Sequence, residues 1–136
     1  MNGVLLFAIQ ETVVNLSKPK VDYLKLAEHC ASQISEHMSV PVSLVTNTSC
    51  KSKIFDKIIK VNLHSKQTKK IAGEQILWMN FDRYKCWDYT PYENTLVMDT
   101  DFIIKNNSLC NVFDSGKDLL INKTYTDING RTDKTV

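Results

Sequence analysis

The chain has 136 residues, of which 43% are apolar and 24% are charged. This balance fits one globular domain with a hydrophobic core and excludes a disordered or fibrous segment. The net charge is +2, and acidic and basic residues are interspersed along the chain. The chain therefore has no strong long-range electrostatic field that would indicate nucleic acid or a membrane surface as its partner. Composition alone leaves the function open.

The four cysteines predict free thiols in a reducing compartment. They stand far apart along the chain, at Cys30, Cys50, Cys86 and Cys110. No two of them form a Cys-x-x-Cys pair, and no histidine lies at zinc-ligand spacing from them. Together with the charge balance, this pattern predicts a cytoplasmic protein whose partners are neither nucleic acid nor a membrane.

The chain opens with an apolar run and continues with a helical pattern. No basic residues precede the run Val4–Ile9, and it is too short to span a bilayer, so it predicts a first strand rather than a signal peptide. The segment from Ser39 to Pro41 then closes a predicted helix. That helix begins near Val21 and has apolar residues at the spacing of one buried stripe: Leu24, Ala27, Ala31, Ile34 and Met38.

Further strands and a second helix are predicted downstream. The run Val42–Val45 predicts a short buried strand, and Ile58–Val61 predicts a third strand. Residues 74–84 predict a helix that leads to the strand Thr95–Met98. Strands that alternate with helices are typical of an α/β fold with a mostly parallel sheet flanked by helices. The sequence therefore predicts one α/β domain over residues 1–129, followed by a disordered tail over residues 130–136 that frays.

A polar, lysine-rich segment separates the third predicted strand from the second predicted helix. It lies between Asn62 and Gly73 and predicts a mobile surface loop, with a phosphate clamp as the alternative. Its polar and charged residues include His64, Ser65, Lys66, Lys69 and Lys70.

Two aspartates two residues apart follow the last predicted strand directly. In open α/β sheets, ligands collect outside the carboxyl ends of parallel strands, so Asp99 and Asp101 are expected at that edge of the sheet. Hard divalent cations take oxygen ligands and commonly bridge one or two carboxylates to substrate phosphates. The pair therefore predicts a Mg²⁺ or Mn²⁺ site for a ligand that carries a diphosphate, while solvated turn aspartates are the alternative.

The stretch from Phe81 to Asp101 resembles the donor site of nucleotide-sugar glycosyltransferases with the GT-A fold, in particular the glycogenin-like branch. In those enzymes a basic residue near a helix end is followed by a Trp, a Tyr and an apolar strand that ends in Asp-x-Asp. Arg83 stands at the basic position here, and Trp87 and Tyr89 follow it. Residues 3–9, 41–46 and 90–99 also resemble small glycosyltransferase-like proteins of tailed phages, which would place the chain in the host cytoplasm.

The resemblance implies a Rossmann-like GT-A fold and a nucleoside-diphosphate sugar as the ligand, with a UDP-sugar favoured. It assigns diphosphate contact to Arg83 and the metal and ribose to Asp99 and Asp101, with Thr100 in the same donor-binding segment. Nucleotide contacts fall on the end of the first strand and near the start of the first helix: Ala8, Ile9, Gln10 and Tyr23.

Four aromatic and basic residues have structural alternatives. Arg83 could instead form a surface ion pair or serve as a cation at a helix C-terminus. Tyr23 could pack on the sheet, and Trp78 and Trp87 are expected as core or edge aromatics.

The chain departs from the GT-A pattern in its later part. GT-A enzymes have a second half that supplies the acceptor pocket and a third metal ligand, often a histidine. The 35 residues that follow Asp101 contain no histidine. The resemblance therefore implies a truncated, donor-binding half, whose third ligand would come from water, another chain, or a later carboxylate: Asp114, Asp118 or Asp127.

Two further interpretations stay open at this point. An Asp-x-Asp motif between two apolar runs also occurs at the start of the haloacid-dehalogenase phosphatases, in which the first Asp is the nucleophile. There the motif follows the first strand, whereas Asp99 follows three predicted strand units. The other interpretation is a catalytically inactive GT-A-like half domain with an interaction or structural role. In either case an uncovered sheet edge would favour a homo-oligomer.

Overall fold

The computed structural model of the chain describes residues 1–10, 21–62, 68–71, 74–77, 81–120, 124–126, 130 and 132–134. Among them it contains two α-helices and eight strands. In chain order these are β1 (Asn2–Ala8), α1 (Tyr23–Met38), β2 (Val42–Thr46), β3 (Lys57–Lys60), β4 (Thr68–Ile71), β5 (Glu74–Leu77), α2 (Cys86–Tyr89), β6 (Asn94–Met98), β7 (Thr124–Thr126) and β8 (Thr132–Lys134).

Four of the strands form one parallel sheet, in the spatial order β3-β2-β1-β6. Elements cover both of its faces: α1 packs on one, and α2 contributes Cys86 and Tyr89 to the other. The predicted α/β class with a parallel sheet flanked by helices is therefore confirmed.

Strand β1 forms the centre of the core because it is buried on both faces. Alternate residues point to opposite faces, so Val4, Leu6 and Ala8 pack toward α1 while Leu5 and Phe7 pack toward α2. All five side chains are at most 5% exposed. A parallel strand covered on both faces needs apolar residues at every position, which explains the unbroken apolar run.

Helix α1 forms as its apolar spacing predicts. The Asp22 carboxylate accepts a hydrogen bond from the backbone N of Lys25 at 3.1 Å and caps the first turn. The helix ends at Ser39, which adopts a left-handed conformation with φ of 54°. Its buried stripe consists of Ala27, Cys30, Ala31, Ile34 and Met38.

The chain that follows β6 packs against the same helix. The backbone N of Ile104 donates to Gln33 Oε1 of α1 at 3.0 Å, and Cys110 Sγ donates to the carbonyl oxygen of Met38 at 3.7 Å. Ile104 is buried in the core that α1 shares with the sheet. The segment 99–103 is therefore fixed at one end by β6 and at the other by α1.

The helix predicted over residues 74–84 is wrong. Glu74–Leu77 is strand β5, which pairs antiparallel with β4, and Phe81–Lys85 is a 3₁₀ turn that leads into the single turn of α2. Antiparallel pairing of this kind hydrogen-bonds the backbones of the two strands to each other. Glu74–Leu77 therefore forms hydrogen bonds to a neighbouring strand rather than within a helix. Thr68–Ile71, which was predicted as part of the surface loop, is strand β4.

Several other expectations meet the structure in part. Strands β7 and β8 form a second antiparallel ribbon, which includes three of the seven residues that were expected to fray. Residues His64, Ser65 and Lys66 lie outside the described residues. All four cysteines are free thiols. No helix among the described residues has the length and apolar character needed to cross a membrane.

A buried tyrosine closes the amino ends of the sheet. Tyr92 packs against Gly3 of β1 so closely that a methyl group at Gly3 would overlap its ring. The Tyr92 hydroxyl lies 2.7 Å from Ser43 Oγ and donates to Asp56 Oδ2 at 3.3 Å. Burial, helped by the negative charge of Asp56 and opposed by the Ser43 hydrogen bond, raises the pKa of Tyr92 from 10.0 to about 12.

This pKa predicts a pH-dependent difference between the native chain and Tyr92→Phe. The fold favours the neutral phenol, so its contribution is present below pH 10 and is lost as the pH rises toward 12. The free energy of unfolding, measured by urea denaturation across that range, should fall more in the native chain, by up to roughly 2 kcal/mol. All other titrating groups are common to both proteins, so equal slopes would contradict this account.

Candidate functional site

The order of the parallel strands places one switch point in the sheet. From β1 the chain passes to β2 and then outward to β3, and it returns to the opposite side of β1 as β6. Ligands of open α/β sheets bind outside the carboxyl ends of the strands at such a point. Leu6 lies opposite Met98, so residues 99–101 leave the sheet beside the end of β1 and residues 9–10. We call this place, outside the carboxyl ends of β1 and β6, the crevice.

The structure brings Arg83 to Asp99 in this crevice. Arg83 Nη1 forms an ion pair with Asp99 Oδ1, and the two side chains are 30% and 43% exposed. The guanidinium carbon lies 6.0 Å from the centroid of the Phe7 ring, at the outer limit of a cation–π contact. The 3₁₀ turn Phe81–Lys85 therefore positions the Arg83 guanidinium near the end of β1. Its contact with Asp99 is an ion pair, which is the alternative role given above for Arg83.

One N–H group of the Arg83 guanidinium has no hydrogen-bond acceptor among the described residues. This group is Nε, which is shielded from solvent. Asp99 Oδ1 likewise lacks a hydrogen bond of good geometry there, although it contacts Nη1 as an ion pair. A shielded N–H without an acceptor costs about 1–3 kcal/mol, so an anion that reached Nε would recover this energy.

The residues after Asp99 differ in their exposure. Thr100 is buried, whereas Asp101 is exposed and forms no salt bridge with any described residue. Burial, together with the negative charge of Asp101, raises the pKa of the Cys30 thiol in α1 to about 11. Asp101 therefore lies within electrostatic reach of α1 and keeps a carboxylate that solvent and ligands can reach.

Asn47 is a site residue that the sequence reasoning missed. Its side chain pairs with the backbone of Gln10: Asn47 Oδ1 accepts from Gln10 N at 2.9 Å, and Asn47 Nδ2 donates to Gln10 O at 2.9 Å. This pairing extends the contact between β1 and β2 beyond the sheet. Asn47 directly follows strand β2, as Asp99 directly follows β6, but Thr46 separates it from the apolar run Val42–Val45, so the sequence signal was weaker.

The N-terminus of α1 is occupied by side chains of the protein. Asp22 caps Lys25 N, as described above. When the Gln10 amide oxygen faces the helix, it accepts from Tyr23 N at 2.9 Å and from Leu24 N at 3.3 Å. Dinucleotide-binding folds leave the corresponding N–H groups to the pyrophosphate. A phosphate in this crevice would therefore rely on Arg83 rather than on the helix.

The remaining predicted nucleotide contacts are largely enclosed. Ala8 is fully buried and Ile9 is 7% exposed. Tyr23 is half-buried and packs against the core cluster beneath α1, in agreement with its alternative role on the sheet. Trp87 is 67% exposed and so is not a core aromatic, and Trp78 lies outside the described residues.

The described residues contain no group of three or more His, Cys, Asp or Glu side chains that could hold a metal ion. Asp114 and Asp118 are exposed, and Asp127 lies outside the described part of the chain. Asp99 and Asp101 are hard oxygen donors, and Mg²⁺ is commonly bound through one or two carboxylates plus substrate phosphates. The donor set therefore fits a cation that is completed by a phosphate ligand, provided that Arg83 leaves Asp99.

Comparisons of the chain with protein-family models, with curated proteins and with solved structures find no match.

The Asn47 pairing predicts a stability effect at the crevice. Asn47→Ala removes two hydrogen bonds to the Gln10 backbone and should lower the free energy of unfolding by about 1–3 kcal/mol, as measured by urea denaturation. Asn106→Ala is the matched control, because Asn106 Oδ1 accepts one exposed hydrogen bond from Ser108 N at 2.9 Å. Equal losses in the two variants would show that the Asn47 pairing does not support the end of β1.

Proposed function

We propose that this chain is a GT-A-like domain that binds a nucleoside-diphosphate sugar through a divalent cation at the carboxyl ends of β1 and β6. The observation that supports the proposal is the convergence of Arg83 and Asp99 at the topological switch point. The two residues are sixteen positions apart in the sequence, on different elements. The GT-A resemblance implies neighbouring roles for them, on the diphosphate and on the cation, although their direct contact is the ion pair named above as the alternative role of Arg83.

The charges of the crevice favour a diphosphate that arrives with a cation. Asp99 and Asp101 alone would repel a phosphate group, and the amide of Gln10 occupies the N-terminus of α1. Arg83 supplies a fork of N–H donors that matches phosphate oxygens, and its Nε lacks an acceptor among the described residues. A diphosphate that arrived with a cation would offer an acceptor to Arg83, and the cation would neutralise Asp99 and Asp101.

The proposed activity is transfer of the sugar to an acceptor. A bound Mg²⁺ or Mn²⁺ ion would help to neutralise the charge that develops on the leaving nucleoside diphosphate. Asp99 and Asp101 supply the carboxylate oxygens, and Arg83 donates to the diphosphate oxygens. Asn47 holds the Gln10 backbone in place, which fixes the wall of the crevice at the end of β1. A UDP-sugar is favoured, because the resemblance is to the glycogenin-like branch.

A second candidate function is that of an inactive domain that interacts with a protein partner. Two observations favour it: Arg83 already neutralises Asp99, and the described residues gather no third metal ligand. In that case the acidic pair is a relic. An interaction domain of this kind would respond neither to a nucleotide nor to a metal.

Calorimetric titration of UDP, and then of GDP, separates the two candidates. With Mn²⁺ present we expect micromolar binding of one nucleotide, and with EDTA we expect that binding to weaken by at least about tenfold. Asp99→Asn/Asp101→Asn should lose the metal-dependent binding, because the amides keep the shape but not the charge.

Glu36→Gln is the matched control, since Glu36 is an exposed carboxylate in the last turn of α1, at the opposite end of that helix from Asp22 and Gln10. It should bind like the native chain. A folded sample that binds neither nucleotide in the presence of Mn²⁺ would contradict the proposed function and favour the interaction domain.

A further inference from the structure

The Arg83–Asp99 ion pair occupies one of the two carboxylates that the proposed function assigns to the cation. In the free chain, Nη1 of Arg83 lies against Oδ1 of Asp99. Asp101 is exposed and forms no salt bridge within the described part of the chain. These three side chains therefore carry a net charge of −1, and a divalent cation would meet one open carboxylate and one that a guanidinium already neutralises.

We propose that Arg83 is an exchangeable counter-ion that makes the cation and the diphosphate load together. In the free chain Arg83 neutralises Asp99. On loading it moves from Asp99 to the diphosphate oxygens, which leaves two negative carboxylates for a divalent cation. This inference rests on the proposed function and specifies how the same site is filled.

The position of Arg83 suits such an exchange. Its side chain starts from a single 3₁₀ turn, is partly exposed, and is held by only one ion pair among the described residues. The Phe7 ring lies 6.0 Å from the guanidinium carbon and supports the side chain independently of Asp99. Its shielded Nε has no acceptor there, so a new anion would add a hydrogen bond that the Asp99 contact does not supply.

The exchange has a consequence for the two ligands taken separately. Mn²⁺ alone has to displace a guanidinium that finds no other anion, so it should bind weakly. UDP alone meets Asp99 and Asp101 without a cation between them, so it should bind weakly as well. Together they satisfy Arg83, Asp99 and Asp101 at once, which makes their binding cooperative.

The test is to measure Mn²⁺ binding without nucleotide, through the electron paramagnetic resonance signal of the free ion, in the native chain and in Arg83→Gln. The variant should bind Mn²⁺ at least about tenfold more tightly, because Asp99 loses its competing cation. The same variant should bind UDP in saturating Mn²⁺ at least about tenfold more weakly by calorimetry. The two affinities change in opposite directions, which a purely structural role of Arg83 would not produce.

Three variants serve as controls. Lys105→Gln removes an equal charge at an exposed position and should leave both affinities unchanged. Arg83→Gln/Asp99→Asn should lose the gain in Mn²⁺ affinity, because that gain acts through Asp99. Arg83→Lys keeps the charge but not the fork, so Mn²⁺ should stay weakly bound while UDP binding weakens. Thermal unfolding should verify that each variant is folded.

The outcomes separate this inference from the function on which it rests. If the native chain binds UDP with Mn²⁺ and Arg83→Gln leaves the affinity for Mn²⁺ alone unchanged, the exchange is overturned and the proposed function stands. If the folded native chain binds no UDP or GDP in the presence of Mn²⁺, both are overturned.

Discussion

The burial of β1 on both faces is the constraint on which the rest of this fold depends. A strand with an apolar side chain at every position needs elements above and below it and a strand on either side. Here α1 packs above, α2 packs below, and β2 and β6 pair in parallel on its flanks. Because both neighbours run parallel to β1, their carboxyl ends meet at one edge. The crevice that holds Arg83 and Asp99 follows from this arrangement.

The two ends of the sheet differ in chemistry. At the amino ends, Tyr92 fills the space above Gly3 and satisfies the buried hydroxyl of Ser43, which closes that edge. At the carboxyl ends, Asn47 fixes the Gln10 backbone, while Arg83 and Asp99 face each other with hydrogen-bonding capacity left over. The Tyr92 packing and the proposed ligand site are thereby separated by the length of a strand, so substitutions at Tyr92 and at Arg83 should act on different properties.

Elements with a strong apolar pattern could be predicted from the sequence, and elements defined by pairing could not. The apolar residues of α1 recur at helical spacing, and those of β1 form an unbroken run. Each pattern predicts its element, because each is the pattern needed to bury that element. The pairing of β4 with β5 depends on hydrogen bonds between two separate strands. The pattern of apolar residues within Glu74–Leu77 does not reveal such a partner. Because Asp99 and Asp101 come directly after an apolar run, the sequence predicted that they lie at the carboxyl end of a strand. The pairing of Arg83 with Asp99, and that of Asn47 with Gln10, depends on which strands become neighbours.

The proposed function requires the crevice between β1 and β6 to bind a cation together with a nucleoside diphosphate. Paramagnetic broadening of backbone amide signals by substoichiometric Mn²⁺ in the presence of UDP tests it most directly. The proposal predicts broadening that is strongest at residues 99–101, extends to Ile9, Gln10 and Arg83, and is weakest at Tyr92 and Glu93 beyond the amino end of β6. Broadening centred elsewhere, or none at all in the presence of both ligands, would contradict it.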